Sequence, residues 1–187
     1  MTPWPIGQAP PTVPFARSYW VVPGRLLAGA FPGAPDPDEA HAKIQALVNC
    51  GIAAVVNLME PHEVDHSGKP FVDYGPLFRE LAAVRGVDAQ TLRFPIRDLG
   101  VTSTESMNLI LATIDRLIGS EKPVYVHCWG GIGRTGTVVG CYLMRHGLAD
   151  ATTVLNDINL LRTHDAKAHV LSPETPAQRD MVVGWKA

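Results

Sequence analysis

An excess of charge of either sign is missing from this sequence. Lys plus Arg total 16 against 18 Asp plus Glu, a formal net charge of −2 over 187 residues. No global basic field exists to hold nucleic acid or an anionic lipid surface, so any anion must be caught by a local site. Cysteine is scarce. Cys50, Cys128 and Cys141, an odd number at wide spacing, do not make a disulfide framework. They point to a reducing compartment, with each thiol either buried or reactive. Long apolar runs are absent too, and no stretch approaches the roughly 18 residues of a membrane span. The start, Met1 to Phe15, is Pro-rich and has no basic segment ahead of an apolar one, so it does not read as a signal peptide. The expectation is a cytoplasmic protein with no membrane and no nucleic-acid partner. What is present is an ordinary globular balance, 46% hydrophobic and 18% charged, at a length that suits one domain.

Residues 1–17 carry five prolines and little periodicity and read as an irregular arm; 18–187 read as a single domain. Ser18 to Pro32 looks like a hairpin turning at Pro23-Gly24. Asp36-Pro37 suits an N-cap with Pro at the first helical position, and the helix behind it stops at Gly51. Ala53–Leu58, Thr91–Ile96 and Pro123–His127 read as short strands. Met59 to Tyr74, broken by Pro61, Gly68 and Pro70, reads as a long loop. Helices are expected over Leu77–Val84, behind a Thr102/Glu105 capping box, and over Thr135–His146, Ala151–Leu161 and Thr175–Gly184. Strands alternating with helices predict an α/β three-layer sandwich, its central sheet mostly parallel and flanked by helices.

One segment carries chemistry: His127-Cys128-Trp129-Gly130-Gly131-Ile132-Gly133-Arg134-Thr135-Gly136, between a buried strand and an apolar helix. Its glycines allow a tight loop whose amides point inward. The helix it opens adds free N–H groups and a positive dipole end. Arg134 adds a planar fork suited to phosphate or sulfate. Together these make an oxyanion cradle over Trp129, Gly130, Gly131, Ile132, Gly133 and Arg134. A cysteine at its head is favoured as thiolate, because helix N-termini and cations lower thiol pKa values to roughly 3.5–7.5. The cradle binds a phosphate and aims a nucleophile at its phosphorus.

This Cys-x5-Arg-Thr pattern, with His before and Gly after, resembles the signature loop of the cysteine-dependent protein tyrosine phosphatase superfamily. The short chain looks most like its dual-specificity branch, similar to bacterial dual-specificity-like members and to kinase-associated phosphatase. The resemblance implies a phosphomonoesterase working through a phosphocysteine, without a cofactor or metal. Its expected substrate is a phosphorylated protein or peptide, with phosphate or sulfate able to occupy the site. Cys128 is implied as nucleophile, Arg134 as anion holder and Thr135 as the hydroxyl that steadies the departing thiolate. The family's acid lies about thirty residues before the cysteine, where Asp98 stands. Strand order agrees: Asp98 follows a strand, and parallel strand ends face one crevice. Asp73 and Asp88 precede that strand. Ser172-Pro173-Glu174-Thr175-Pro176-Ala177-Gln178 is similar to the loop whose Gln positions the hydrolytic water, which implies Gln178. A phosphoinositide or RNA 5′-phosphatase of the same mechanism, or a phosphate-binding pseudophosphatase, is the alternative.

Competing motifs are weaker. Gly131-Ile132-Gly133-Arg134-Thr135-Gly136 spells a dinucleotide fingerprint, but a helix rather than a second strand is expected at 151–161. A nucleotide-triphosphate loop needs Lys where Arg134 stands. His62-Glu63-Val64-Asp65-His66 matches a zinc-protease motif in letters, yet Pro61, Gly68 and Pro70 deny it the helix that motif needs. It reads as a solvated loop at the pocket mouth. Cys141 and Cys50 read as structural, and His127 as a hydrogen-bonder behind the cradle rather than a base.

Overall fold

The computed structural model describes residues 12–186. Residues 1–11 of the expected arm lie outside that range. The apolar runs become five strands: β1 Ser18–Val22, β2 Leu26–Gly29, β3 Ala54–Asn57, β4 Gln90–Arg93 and β5 Val124–His127. The order in the sheet is β1-β2-β5-β3-β4. The hairpin pair β1–β2 is antiparallel; every other pairing is parallel. β4 ends at Arg93 rather than Ile96, since Pro95 has no N–H for the ladder.

Strand alternation separates two cores. Leu26, Ala28, Ala54, Val56, Val124 and Val126 face one side, and Leu27, Val55 and Tyr125 face the other. α1 (Pro37–Asn49) and α2 (Gly75–Val84) cover the second face through Ile44, Leu47, Val48 and Phe78. The first face is covered by α3 (Thr104–Gly119), α4 (Gly133–Arg145), α5 (Val154–Leu161) and α6 (Pro176–Val183). The result is the three-layer α/β sandwich that the strand–helix alternation implies.

Helix starts shift in instructive ways. Asp36 caps α1 as expected, accepting from the amides of Asp38 and Glu39 at 2.8 and 3.1 Å. The Thr102/Glu105 box does not form. Ser103 is the cap instead and accepts from the Ser106 amide at 3.2 Å, because the helix begins one residue later than that box requires. α5 starts at Val154, not Ala151, since the Asp150 carboxylate ties the Thr152 and Thr153 amides into a turn. α2 and α4 start two residues before their expected positions. No helix among the described residues is long and apolar enough to cross a membrane.

Registry fixes where chemistry can sit. Gly29, His127 and Asn57 lie side by side, with Arg93 beside Asn57. The ends of β2, β5, β3 and β4 therefore open on one edge, where α4 begins. Asp88, at the start of β4, falls on the opposite edge and pairs with Lys122 at 2.7 Å.

Candidate active site

The loop from β5 to α4 is shaped from outside by its carbonyls. His127 Nδ1 lies 3.0 Å from the Cys128 carbonyl, the Phe31 amide donates to the Trp129 carbonyl at 2.9 Å, and Arg17 donates to that of Gly130. Ser172 Oγ donates to the Ile132 carbonyl at 2.7 Å. In a trans peptide the N–H points opposite to the C=O. Pinning these four carbonyls outward therefore turns the amides of Trp129, Gly130, Gly131 and Gly133 inward. Two glycines are obligatory. Gly131 has φ +68°, and a Cβ there would lie 2.4 Å from the Gly29 carbonyl carbon. A Cβ on Gly136 would lie 2.1 Å from Ser172 Oγ, the atom that holds Ile132.

Cys128 sits at the head of this loop, 3% exposed. Thr135 Oγ1 is 3.1 Å from its sulfur and 3.4 Å from the Gly29 carbonyl. The hydroxyl has one proton, so a negatively charged sulfur draws it away from the backbone oxygen. Behind the loop His127 is wholly buried. Loss of water pushes its imidazole down to about 3, with Arg93 and Arg134 adding to the effect against the bond to Cys128. The ring is neutral. Since a carbonyl only accepts, Nδ1 carries the proton, and Tyr74 donates its hydroxyl to Nε2 at 2.5 Å. His127 is thus a brace.

Arg134 is buried at 1% side-chain exposure, and its fork is organised by carboxylates. Nη1 and Nη2 each donate to Glu63 at 2.7 Å, Nη1 also donates to the Ile96 carbonyl at 3.0 Å, and Nη2 lies 2.9 Å from Asp98 Oδ1. Burial works against the charge, but the bonds to Glu63 and the nearby anions outweigh it and hold the guanidinium firmly protonated. Nε alone of its donors is left: it is buried with no partner among the described residues. A buried N–H so placed is open to an acceptor of an incoming anion.

Asp98, half exposed, sits in a turn closed by Gly100 N to the Arg97 carbonyl at 3.0 Å. Leu99 takes φ +58°, a left-handed conformation costing a residue with Cβ about 1 kcal/mol. α6 holds this turn: Thr175 Oγ1 donates to the Leu99 carbonyl and Gln178 Nε2 to that of Gly100, at 3.3 and 3.0 Å. Gln178 Oε1 accepts from the amides of Glu174 and Thr175. Gln178 is therefore beside Gly133 but buried, its amide engaged in a capping box and in bracing the Asp98 turn.

The zinc-like letters 62–66 form a loop. Its Glu63 goes to Arg134, and His66 lies against Trp129 with ring centroids 4.3 Å apart. Phe71 packs edge-on to Trp129 at 5.3 Å and to Phe31 at 4.9 Å. Trp129, half buried, is thus part of an aromatic wall beside the cradle. Tyr74 and Arg17 carry no mark in the sequence, whereas Glu63 and Ser172 stand in segments that do, though their partners Arg134 and Ile132 are not legible there. Glu63 follows β3, whose end opens on the site edge, and an acidic residue in such a loop is the signal that marks it.

An inward-facing amide loop at the edge of a parallel sheet, with a cysteine backed by a hydroxyl and a buried arginine beside a loop aspartate, defines a dual-specificity-like domain of the cysteine phosphatases. Residues 15–176 match the family model described as Swiss Army Knife protein, DSP-PTPase phosphatase domain, and the chain belongs to that family. It is 36% identical over 95 residues to an uncharacterised protein of Methanocaldococcus jannaschii, covering 51% of this chain and 54% of the relative. It is 28% identical over 134 residues to the human dual specificity protein phosphatase CDC14A, covering 68% of this chain and 19% of the relative. The chain thus spans about half of the first relative and about a fifth of the second. In fold it is similar to Tk-PTP in its active form, with TM-score 0.63, 24% identity, and 86% and 90% of the two chains covered. PTPMT1 in complex with PI(5)P gives TM-score 0.62 at 17% identity, with 87% and 90% covered.

Proposed function

We propose that this chain hydrolyses phosphomonoesters of phosphorylated proteins, phosphotyrosine first, through a phosphocysteine on Cys128. The observation that carries this reading is the unpartnered, buried Nε–H of Arg134 beside a ring of inward amides headed by a hydroxyl-backed cysteine. Such a site has donors for a tetrahedral oxyanion and a nucleophile at its base.

The Cys128 sulfur attacks phosphorus and the ester oxygen leaves, taking a proton from Asp98. Arg134, through Nε and Nη2, and the loop amides hold the three equatorial oxygens in the transition state. Asp98 gives up its contact with Nη2 in the process. It then takes a proton from water as the water attacks the phosphocysteine, phosphate departs, and Thr135 donates to the sulfur as the thiolate returns. Gln178 keeps the Asp98 turn in place between these steps. The wall of Trp129, His66, Phe71 and Phe31 beside the cradle favours a flat aryl ester over a short alkyl one. All three cysteines are free, which suits a reducing cytoplasm.

The test is phosphate release from an aryl phosphate in the presence of a chelator, followed by a panel of phosphotyrosine, phosphoserine and phosphothreonine peptides, phosphoinositides and 5′-phosphorylated RNA. Release abolished in Cys128→Ser and nearly abolished in Arg134→Lys is expected, with phosphotyrosine peptides preferred. Phosphopeptide binding by the parent chain without release would make it a recognition module instead, and preference for the lipid or RNA would overturn the substrate class.

A further inference from the structure

We infer that Arg17, just before β1, is a positioning residue for the anion cradle: its guanidinium turns the Gly130–Gly131 peptide so that the Gly131 N–H faces the bound phosphoryl group. The inference rests on the phosphate-binding reading of the Cys128 loop. Arg17 takes no part in the chemistry outlined above.

Arg17 Nη2 donates to the Gly130 carbonyl at 2.5 Å, and Nε donates to Asp165 Oδ1 at 2.8 Å. These partners lie 113 and 148 positions away in sequence, so the arginine joins three separate segments. The far end of the strut is rigid. The Asp165 side chain is fully buried, and the same oxygen accepts from the Lys167 amide at 2.7 Å. Buried Arg162 holds the turn from behind, donating to the carbonyls of Val170 and Lys167 at 2.8 and 3.1 Å. The backbone beside Arg17 is tied to the same turn through Ala166 N to the Ala16 carbonyl, 3.0 Å.

The consequence at the loop follows from peptide geometry. With the Gly130 oxygen held outward by Arg17, the Gly131 N–H on the same planar unit must point the other way, into the cradle. A neutral donor would achieve that orientation. A charged one does more, because a cation at the oxygen polarises the peptide and makes its N–H a stronger donor. Glycine at 131 leaves this peptide free to rotate, so the orientation has to be imposed from outside. Lysine cannot substitute fully, since a single ammonium does not present two coplanar N–H groups to acceptors on different segments.

The experiment uses the full chain with Arg17→Ala and Arg17→Lys, and two readouts. One is tungstate, an unreactive oxyanion, titrated by calorimetry and by the shift of the Gly131 amide in 15N–1H spectra. The other is kcat with an aryl phosphate. Removing an oxyanion-hole donor costs on the order of 10²–10³ in kcat, and misaligning one costs less, so Arg17→Ala is expected to lose roughly 10–100-fold. Tungstate affinity should fall about tenfold, the large Gly131 amide shift on tungstate binding should vanish, and added guanidinium ion should restore part of both losses. Arg17→Lys should fall in between. A merely structural arginine would lower thermal stability and leave tungstate affinity and the Gly131 shift of the folded fraction unchanged. Either variant, folded and within twofold of the parent in both readouts, would overturn the inference. A parent that binds tungstate in an Arg17-dependent way but releases no phosphate would sink the enzymatic reading while supporting this one; a parent that does not bind tungstate would sink both.

Discussion

Replacing Glu63 with Gln keeps the size of the side chain and removes only its charge. In the parent, both carboxylate oxygens receive 2.7 Å bonds from Arg134, whose side chain is 1% exposed against 9% for that of Glu63. Breaking a buried pair from one side costs about 3–5 kcal/mol, because the remaining charge stays buried. In Glu63→Gln the new amide would retain one acceptor, worth about 1 kcal/mol, and would set its NH2 against the other Nη donor. Asp98 also faces Nη2, but at half exposure its contribution is screened. The expected loss is therefore about 2–4 kcal/mol. In a chain of this length that lowers Tm by roughly 4–16 °C. Catalysis should fall further than stability explains. The guanidinium would rotate, and a misplacement of about 1 Å can cost on the order of 10²-fold in rate. The assays are urea unfolding at pH 7 and kcat/KM with an aryl phosphate on the folded protein. Glu63→Leu, which supplies no acceptor at all, should be worse on both counts. A Glu63→Gln variant within about 0.5 kcal/mol of the parent and fully active, or a Glu63→Leu variant better than Glu63→Gln, would refute the reasoning.

Stability should fall on acidification through His127. The folded ring stays neutral down to about 3 while the unfolded chain takes a proton below about 6.5, so its contribution is whole above that value and is lost as pH drops between the two. By pH 5 the loss is roughly 2 kcal/mol, and urea unfolding at pH 7.5 and 5.0 should show that much less loss in His127→Gln; equal losses would rule His127 out. Thr135→Ala should slow breakdown of the phosphoenzyme by about 10–100-fold, since a bond to a charged atom is worth about 1.5–3 kcal/mol. Rapid mixing should then show a burst, absent in Thr135→Ser; no burst in Thr135→Ala would place the hydroxyl elsewhere. Gly136→Ala drives a methyl into Ser172 Oγ and should cost about 1–3 kcal/mol together with activity. Removing that oxygen in a Gly136→Ala/Ser172→Ala double variant should recover stability without recovering full activity, as Ile132 loses its pin; additive stability losses would contradict this.

Much of the architecture was legible because it rests on local pattern. Short valine-rich runs became β3 and β5, and Asp36-Pro37 capped α1. The Thr102/Glu105 box misled by one residue, because Ser103 is an equally good cap and only packing of the Met107, Ile110 and Ile114 stripe decides the register. Cys128, Arg134 and Thr135 were visible since they share one short segment at the loop and the first turn of α4, and Asp98 since strand order places it on the same edge. What holds them was not. Glu63 reaches Arg134 across 71 positions and Ser172 reaches Ile132 across 40, and such pairings arise only when the sheet brings loop ends together.

β5 lies in the middle of the sheet yet comes last among its strands. Until it inserts, β2 and β3 each offer an open parallel edge, an arrangement that folds slowly and invites wrong pairing. The strand that seals those edges is also the one that delivers Cys128 to its cradle. Without β5 between β2 and β3, Cys128 is not brought beside Gly29 and Thr135, and the loop behind it is not formed. Closing the sheet and assembling the loop around Cys128 thus depend on the same strand.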